Sequence, residues 1–328
     1  RELACLGHDV VWWSSSFSHR RKARRDPVDT CLDLGFKVRL VDAPAYRKNI
    51  SISRVKNHKA WGRNLVDEAK SAILSEELAK PELVLASMPP MEGPCAGIAL
   101  KELYGCKLII DIMDAWPETL LQAIPSMAGA GKVLGGLMLQ RYWKMLEESL
   151  RESDALSAQS EKFAEYAKEH GWRGSAHVCY LGANRHAEVN TGARDPREPL
   201  RLVYIGSMGY SYDLKTLLSS VISLRTQGVE IELHLAGQGE QLENLKRVAS
   251  NASDGFIHFH GYLDAEELEC LLASCDVGIV PMYPESRVSI PYKAGDYLAA
   301  GLPTINSLPG DLERLLATHD LSLIHISE

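Results

Sequence analysis

Two charged residues three positions apart, Lys293 and Asp296, interrupt the apolar segment IPYKAGDYLAAGLPTIN at 290–306. If Pro291 starts a helix, Lys293 falls in its first turn and Asp296 one turn further on. A lysine there opposes the helix dipole, so an anion must compensate it. A diphosphate would satisfy both Lys293 and the free amides of the turn, and Asp296 would accept hydrogen bonds from ribose hydroxyls. The pair also has a purely structural reading, in which Lys293 reaches solvent and Asp296 supports the turn. Residue types alone leave the two readings open.

Two glycine turns suit the same chemistry. RLVYIG runs into SMGYSYD and then into the helical pattern LKTLLSSVISL, so Gly206 and Gly209 would let backbone amides approach a ligand at a helix amino terminus. AGQGE, with Gly237 and Gly239, likewise lies between a strand and the helix QLENLKRVAS. A tight turn without a ligand explains these glycines equally well. Neither pair completes GxGxxG or GxxxxGK[ST].

The elements that must position these residues alternate along the chain. HDVVWWSS, FKVRLVD, ELVLASM, KLIIDIMD, ALSAQS and HVCYLG read as strands, separated by helices such as WGRNLVDEAKSAILSEELA and MLQRYWKMLEESLRESD. After the polar stretch ANRHAEVNTGARDPREP the pattern restarts with RLVYIG, VEIELHLAG, FIHFHG, DVGIVPM and PTINS. Continuous apolar strands between helices imply parallel sheets covered on both faces. The fold class is therefore α/β, with two Rossmann-like domains at 1–183 and 200–328 joined by a linker at 184–199 and facing each other across a cleft.

Composition narrows the setting. At 328 residues and 45% hydrophobic, the chain exceeds the size at which one core usually divides. It has no apolar run of the roughly 18 residues that a spanning helix needs. Seven cysteines without CxxC pairing argue for reduced thiols and a cytoplasmic setting, and against a disulfide frame or zinc site. The net charge of −7 hides an asymmetry, because residues 19–63 hold 13 Lys and Arg against four Asp. Such a block suits an anionic partner such as lipid headgroups, a phosphorylated acceptor or nucleic acid, and a solvated loop accounts for it as well. The start RELACLGHD is expected to lack a first strand and its loop. The tail LSLIHISE reads as an appended segment after truncated C-terminal helices.

These motifs together resemble retaining glycosyltransferases of the two-Rossmann-domain (GT-B) type, in the group that includes bacterial O-antigen and capsule sugar transferases. That family closes its donor site with PSKxxEYxAAGxPVI, which is similar to this chain at Pro291, Lys293, Tyr297, Ala299, Ala300, Gly301 and Pro303. VYIGSMGYSYDLKTLL, LAGQGEQLENLK and IHFHGYLDAEELECLLASCDVGIVPM extend the likeness. DIMDAWPE at 111–118 looks like DxxDxWPE of the O-antigen members, and VVWWSSSFSH like their second-strand loop. The resemblance implies a nucleotide-sugar donor, a UDP-sugar rather than a GDP-sugar, and no cofactor or metal. It also implies retention, with the leaving phosphate itself helping to deprotonate the acceptor.

Departures redistribute the expected roles. Family members carry two glutamates eight positions apart; here the positions hold Val288 and Asp296. Asp296 remains the ribose contact, and the sugar contact passes to Ser289 or to backbone amides. Diphosphate neutralisation falls to Lys293 and Arg287, since Lys215 sits later than the family's lysine. Asp114 ends the strand LIIDIMD and is expected, with His19, to be catalytic; Trp116 and Glu118 are assigned to the acceptor side. The expected partners are a nucleotide sugar and a lipid-linked or glycan acceptor, with peripheral contact of residues 19–63 on an anionic membrane and no nucleic acid. A nucleotide-sugar epimerase of the same architecture, or a degenerate sugar-nucleotide or nucleic-acid binding module, are the alternatives.

Overall fold

The structure, a computed structural model, describes residues 2–19, 21–25, 35–48, 51–123, 130–182, 198–250, 255–283, 286, 288–319 and 322–325. The chain divides into two units, Arg1–Gln159 with Phe163–Val178, and Ser160–Lys162 with Cys179–Glu328. The break at Val178/Cys179 comes a little before the expected end of the first domain at 183. Of the expected linker, the residues up to 197 lie outside the described ones.

In the first unit α1 (Glu2–Cys5) precedes β1 (Val11–Ser15), and β2 (Phe17–Ser18) forms a small antiparallel hairpin with β3 (Ala23–Arg24). Next come β4 (Lys37–Val41), α2 (Ile52–Leu74), β5 (Leu83–Met88), α3 (Glu92–Tyr104), β6 (Lys107–Ile112), α4 (Glu118–Ala123), α5 (Ala130–Glu152), β7 (Ala155–Ala158), α6 (Glu161–Glu169) and β8 (Ala176–Val178). The sequence pattern predicts one sheet here, and the structure has two parallel pieces, β1–β4 and β5–β6–β7–β8. Apolar strands alone do not specify a ladder. Among the described residues β1 pairs only with β4 and β5 only with β6, and Trp12, Leu83 and Leu85 on these border strands are exposed. The pieces share a small core of Val41, Leu65, Ala69, Ala96 and Leu100, against which Trp13 and Val84 pack.

The second unit runs β9 (Leu200–Ile205), α7 (Leu214–Thr226), β10 (Ile231–Ala236), α8 (Leu242–Ser250), β11 (Ile257–Gly261), α9 (Ala265–Ala273), β12 (Val277–Val280), α10 (Tyr292–Ala299), β13 (Thr304–Asn306), α11 (Asp311–Thr318) and β14 (Ser322–His325). Its six parallel strands lie in the order β11-β10-β9-β12-β13-β14, the doubly wound arrangement that reverses direction between its first and fourth strands. The tail, expected to stand apart from the fold, supplies β14 beside β13. Its SLIH run has the length and apolar content of an edge strand. Helix starts are fixed locally: Asp213 accepts from the Thr216 amide at α7, and Asp264 with Glu267 closes a capping box at α9.

One side chain ties the switch point together. Tyr297 of α10 is fully buried; its hydroxyl accepts from the Ile205 amide on β9 at 3.0 Å and donates to the Ile279 carbonyl on β12 at 3.2 Å. Its ring fills the space above Gly278, where a Cβ would lie 2.4 Å from ring carbons. Tyr297→Phe therefore leaves a buried amide unpaired and is expected to cost about 1–3 kcal/mol. Thermal melting together with faster hydrogen exchange at Ile205 checks this; unchanged exchange there would contradict the assignment.

Candidate functional site

Open α/β sheets hold ligands outside the carboxyl ends of strands at the switch point, here where β9 and β12 part. β9 ends on Gly206, and the helix that follows β12 is α10. Pro291 takes the cap position of α10 with extended backbone, one place earlier than the sequence pattern puts it, so Lys293 is its second residue. The Lys293 side chain runs under the Gly206 turn rather than to solvent. It is buried, and its Nζ has no hydrogen-bond partner among the described residues. The ammonium lies 3.5 Å from the ring centroid of Tyr212 and 4.1 Å from that of Tyr204. Aromatic faces attract a cation without accepting its three hydrogen bonds. Burial pushes its pKa down to about 7. The snorkelling reading of Lys293 is thereby corrected.

The two glycine turns have distinct jobs. Gly206 has φ +116°, and a Cβ there would lie 3.3 Å from Lys293 Cε, so glycine keeps the turn seated on the lysine. The amides of Ser207 and Gly209 donate to no backbone carbonyl among the described residues, and they edge the same turn. Gly237 and Gly239, expected to face the donor, instead support the first turn. A Cβ on Gly237 would sit 1.8 Å from the Gly206 carbonyl oxygen, and one on Gly239 2.5 Å from the Met208 carbonyl carbon. The Gly237 amide is spent on the Gly261 carbonyl at 2.6 Å. Gln241 Nε2 completes the brace by donating to the carbonyls of Gly209 and Tyr212 at 2.7 and 3.0 Å.

The other donor candidates divide. Asp296 is half-buried, one turn along α10 from Lys293. Ser289 is a correction: it is buried and its hydroxyl donates to Asp311, so it is not free to donate to a sugar. Arg287 lies outside the described residues. Lys215 is exposed on α7.

In the first unit a second cluster forms around His19. Its Nδ1 meets the Tyr46 hydroxyl in a short contact and lies 3.2 Å from Lys22 Nζ. Burial, then Lys22 and Arg54, lowers the His19 pKa, so the ring is neutral near pH 7. With a lysine donating to Nδ1, the ring carries its proton on Nε2, which makes His19 a donor rather than a base. Trp116 corrects an expectation: it is buried, its carbonyl accepts from Tyr166 at 2.7 Å, and its ring meets Tyr142 edge-on. The Arg54 guanidinium lies 5.3 Å from its ring centroid. Asp114, expected to be catalytic, has Oδ1 accepting from the Ala115 amide at 2.8 Å and the Thr119 hydroxyl at 3.0 Å. Asp114 thus caps the turn that leads into α4. Glu118 is half-buried in the first turn of α4.

Sequence reasoning missed Tyr204, Tyr212, Arg54, His58 and Glu92. His58 Nδ1 is 3.9 Å from Glu92 Oε2, and neither Glu92 oxygen has a hydrogen bond among the described residues. Burial, followed by Arg54 and His19, holds His58 down to about 4, and burial raises the Glu92 carboxyl. The two tyrosines flank SMGYS in the sequence, which is the one signal available for them.

Comparison with known proteins bears on this geometry. Residues 199–321 match the family model of group 1 glycosyl transferases. The matched residues lie in the second unit and are similar to that family's domain. No curated protein matches the chain by sequence. Among solved structures, the lipopolysaccharide outer core galactosyltransferase WaaB is 14% identical with TM-score 0.56, over 88% of this chain and 71% of that one. HepE of Anabaena in complex with UDP is 12% identical with TM-score 0.58, over 94% and 83%. The glycotransferase of kitacinnamycin is 12% identical with TM-score 0.53, over 98% and 79%. Identities this low establish the fold, which is that of GT-B glycosyltransferases with two Rossmann-like halves.

Two pH dependences follow from the buried charges. The Lys293 pKa, about 7 when folded, lies below its ordinary 10.5, so the folded state binds fewer protons between these values. Its cost to stability is full below pH 7 and disappears as pH rises to about 10.5. Lys293→Met is therefore expected to raise the melting temperature of the ligand-free protein at pH 6–7, and the gain should close by pH 10.5. Glu92 has the opposite sign of titration, since its raised pKa makes its cost appear as pH rises above the ordinary 4.5. Glu92→Gln should match the wild type at pH 4 and melt higher at pH 7, and a pH-independent offset would contradict the carboxyl's burial.

Proposed function

We propose that this protein moves a sugar, with retention, from a nucleoside diphosphate sugar to a lipid-linked glycan acceptor in surface polysaccharide synthesis. The donor is a UDP-sugar rather than a GDP-sugar. One observation carries the reading: a buried ammonium, with no hydrogen-bond partner among the described residues, lies beneath a glycine turn at the switch point of a sheet whose residues match the group 1 glycosyl transferase model. As the glycosidic bond breaks, the sugar approaches an oxocarbenium ion and the leaving diphosphate gains negative charge. Lys293 and the turn amides would stabilise that charge where it develops. Asp296 would hold the ribose, and the leaving phosphate would take the acceptor's proton, so no separate base is required. The UDP preference is supported by HepE, solved with UDP and with UDP-glucose.

The acceptor belongs to the first unit in this reading, with His19, Lys22, Tyr46 and Arg54 supplying donors to it. An anionic lipid-linked acceptor and peripheral attachment to the inner face of the plasma membrane rest on charge. Lys56, Lys59, Arg63 and Arg141 line one groove along α2, α3 and α5. Among the described residues no helix is long and apolar enough to cross a membrane. Such a patch attracts an anionic surface within a Debye length.

UDP at a hundred times its dissociation constant should stabilise the wild type by about 2.7 kcal/mol in a thermal shift assay. Lys293→Met should weaken UDP about tenfold to a hundredfold, while Lys215→Ala leaves it unchanged. Since UDP favours the charged lysine, binding at pH 8 should take up a proton, read by calorimetry in buffers of different ionisation enthalpy. Transfer is tested by UDP release from UDP-sugars in the presence of membrane lipid extract. UDP binding without acceptor-dependent release would favour a binding module, and an isomerised sugar formed without acceptor would favour an epimerase. Equal loss from the Lys293 and Lys215 substitutions would overturn the site.

A further inference from the structure

Away from the nucleotide turn, strands β10 and β11 carry an unusual group of side chains. Their parallel register sets His234 opposite His258, and strand alternation puts Glu232, His234, His258 and His260 on one face. The other face of β10, formed by Ile231, Leu233 and Leu235, packs into the core. The imidazole of His234 lies between its neighbours, with ring centroids 4.7 Å from His258 and 5.3 Å from His260, all nearly parallel. We propose that Glu232, His234 and His258 bind a divalent transition metal of the zinc class, with His260 as the residue that positions His234.

Three observations support this. One ligand atom from each of Glu232, His234 and His258 falls within 4.8 Å of the other two. Tetrahedral zinc, with bonds of about 2.0–2.1 Å, sets its ligands about 3.4 Å apart, so rotation of half-buried side chains closes the difference. Two imidazoles and a carboxylate form a donor set that suits zinc. His234 is also held as a ligand should be. Its Nε2 is buried without a hydrogen-bond partner among the described residues and lies 3.6 Å from Glu232 Oε2, so the position between them suits a cation. Its Nδ1 is 3.0 Å from His260 Nε2. With a metal on Nε2 the His234 proton would sit on Nδ1, and His260 would accept it as the outer hydrogen bond that orients a ligating imidazole. Arg201, with Nε 3.5 Å from the same Glu232 oxygen, is the cation a metal would displace.

Calorimetric titration of the full chain with Zn²⁺ alone, repeated with Ni²⁺, tests the site. Exposed Cys5, Cys179 and Cys270 also attract zinc, so the readout is the difference between wild type and variants. One equivalent of Zn²⁺ is expected in the wild type and lost in the His234→Ala/His258→Ala double variant. His260→Gln should weaken binding about tenfold to a hundredfold without changing stoichiometry. Arg201→Gln should tighten binding, which a role confined to packing would not produce. If the double variant fails to fold, Glu232→Gln, at a half-exposed position, carries the test with a loss of at least tenfold expected. The same stoichiometry and affinity in wild type and folded variants, or no saturable binding in the wild type, overturns the proposal.

Discussion

A single unmatched charge organises the second unit. The Lys293 ammonium is removed from water, faces two aromatic rings, and has no carboxylate or carbonyl to accept its protons among the described residues. Burying an ion without a partner is among the more costly arrangements in a protein and persists only where the surroundings over-determine it. The surroundings here do so through backbone. The Gly206 turn sits on the lysine stem, the Gly237–Gly239 turn sits on the Gly206 turn, and Gln241 pins both carbonyls that would otherwise move. An anion entering this turn would find the charge already placed and the amides already aimed, with little reorganisation left.

Rigidity at the switch point comes from the same helix that bears the lysine. Tyr297, one turn along α10, hydrogen-bonds to β9 and β12 at once and occupies the space that Gly278 leaves. Lys293 therefore cannot shift without disturbing a buried tyrosine whose hydroxyl spans the two strands. The motif around α10 thus combines one buried charge with one residue that fixes the strands around it. A recurrent sequence signature of this kind encodes geometry as much as chemistry.

The first unit works differently, by burying imidazoles beside cations. Burial first, then Lys22 and Arg54, lowers the proton affinity of His19; burial first, then Arg54 and His19, lowers that of His58; and Tyr46 and Trp116 supply the aromatic surfaces over which Lys22 and Arg54 rest. Burial pushes Glu92, whose carboxyl lies 3.9 Å from His58, toward its neutral form.

The sequence by itself determined the alternation of strands and helices, the two-unit plan and the likeness to glycosyltransferases. These rest on local periodicity and on a contiguous motif, both readable along the chain. It also put Lys293 and Asp296 on one helix and Gly206 at a strand end. Only the tertiary structure decided what each residue faces. Lys293 points inward because Tyr204 and Tyr212, from β9 and the loop before α7, wall its path. Ser289 turns to Asp311 across 22 positions of sequence, and Asp114, expected to be catalytic, accepts from the Ala115 amide and the Thr119 hydroxyl. The division of the first sheet into two pieces and the histidine face of β10 and β11 likewise depend on which strands pair. Ladder order is set by contacts between distant segments, and no window of sequence contains both partners.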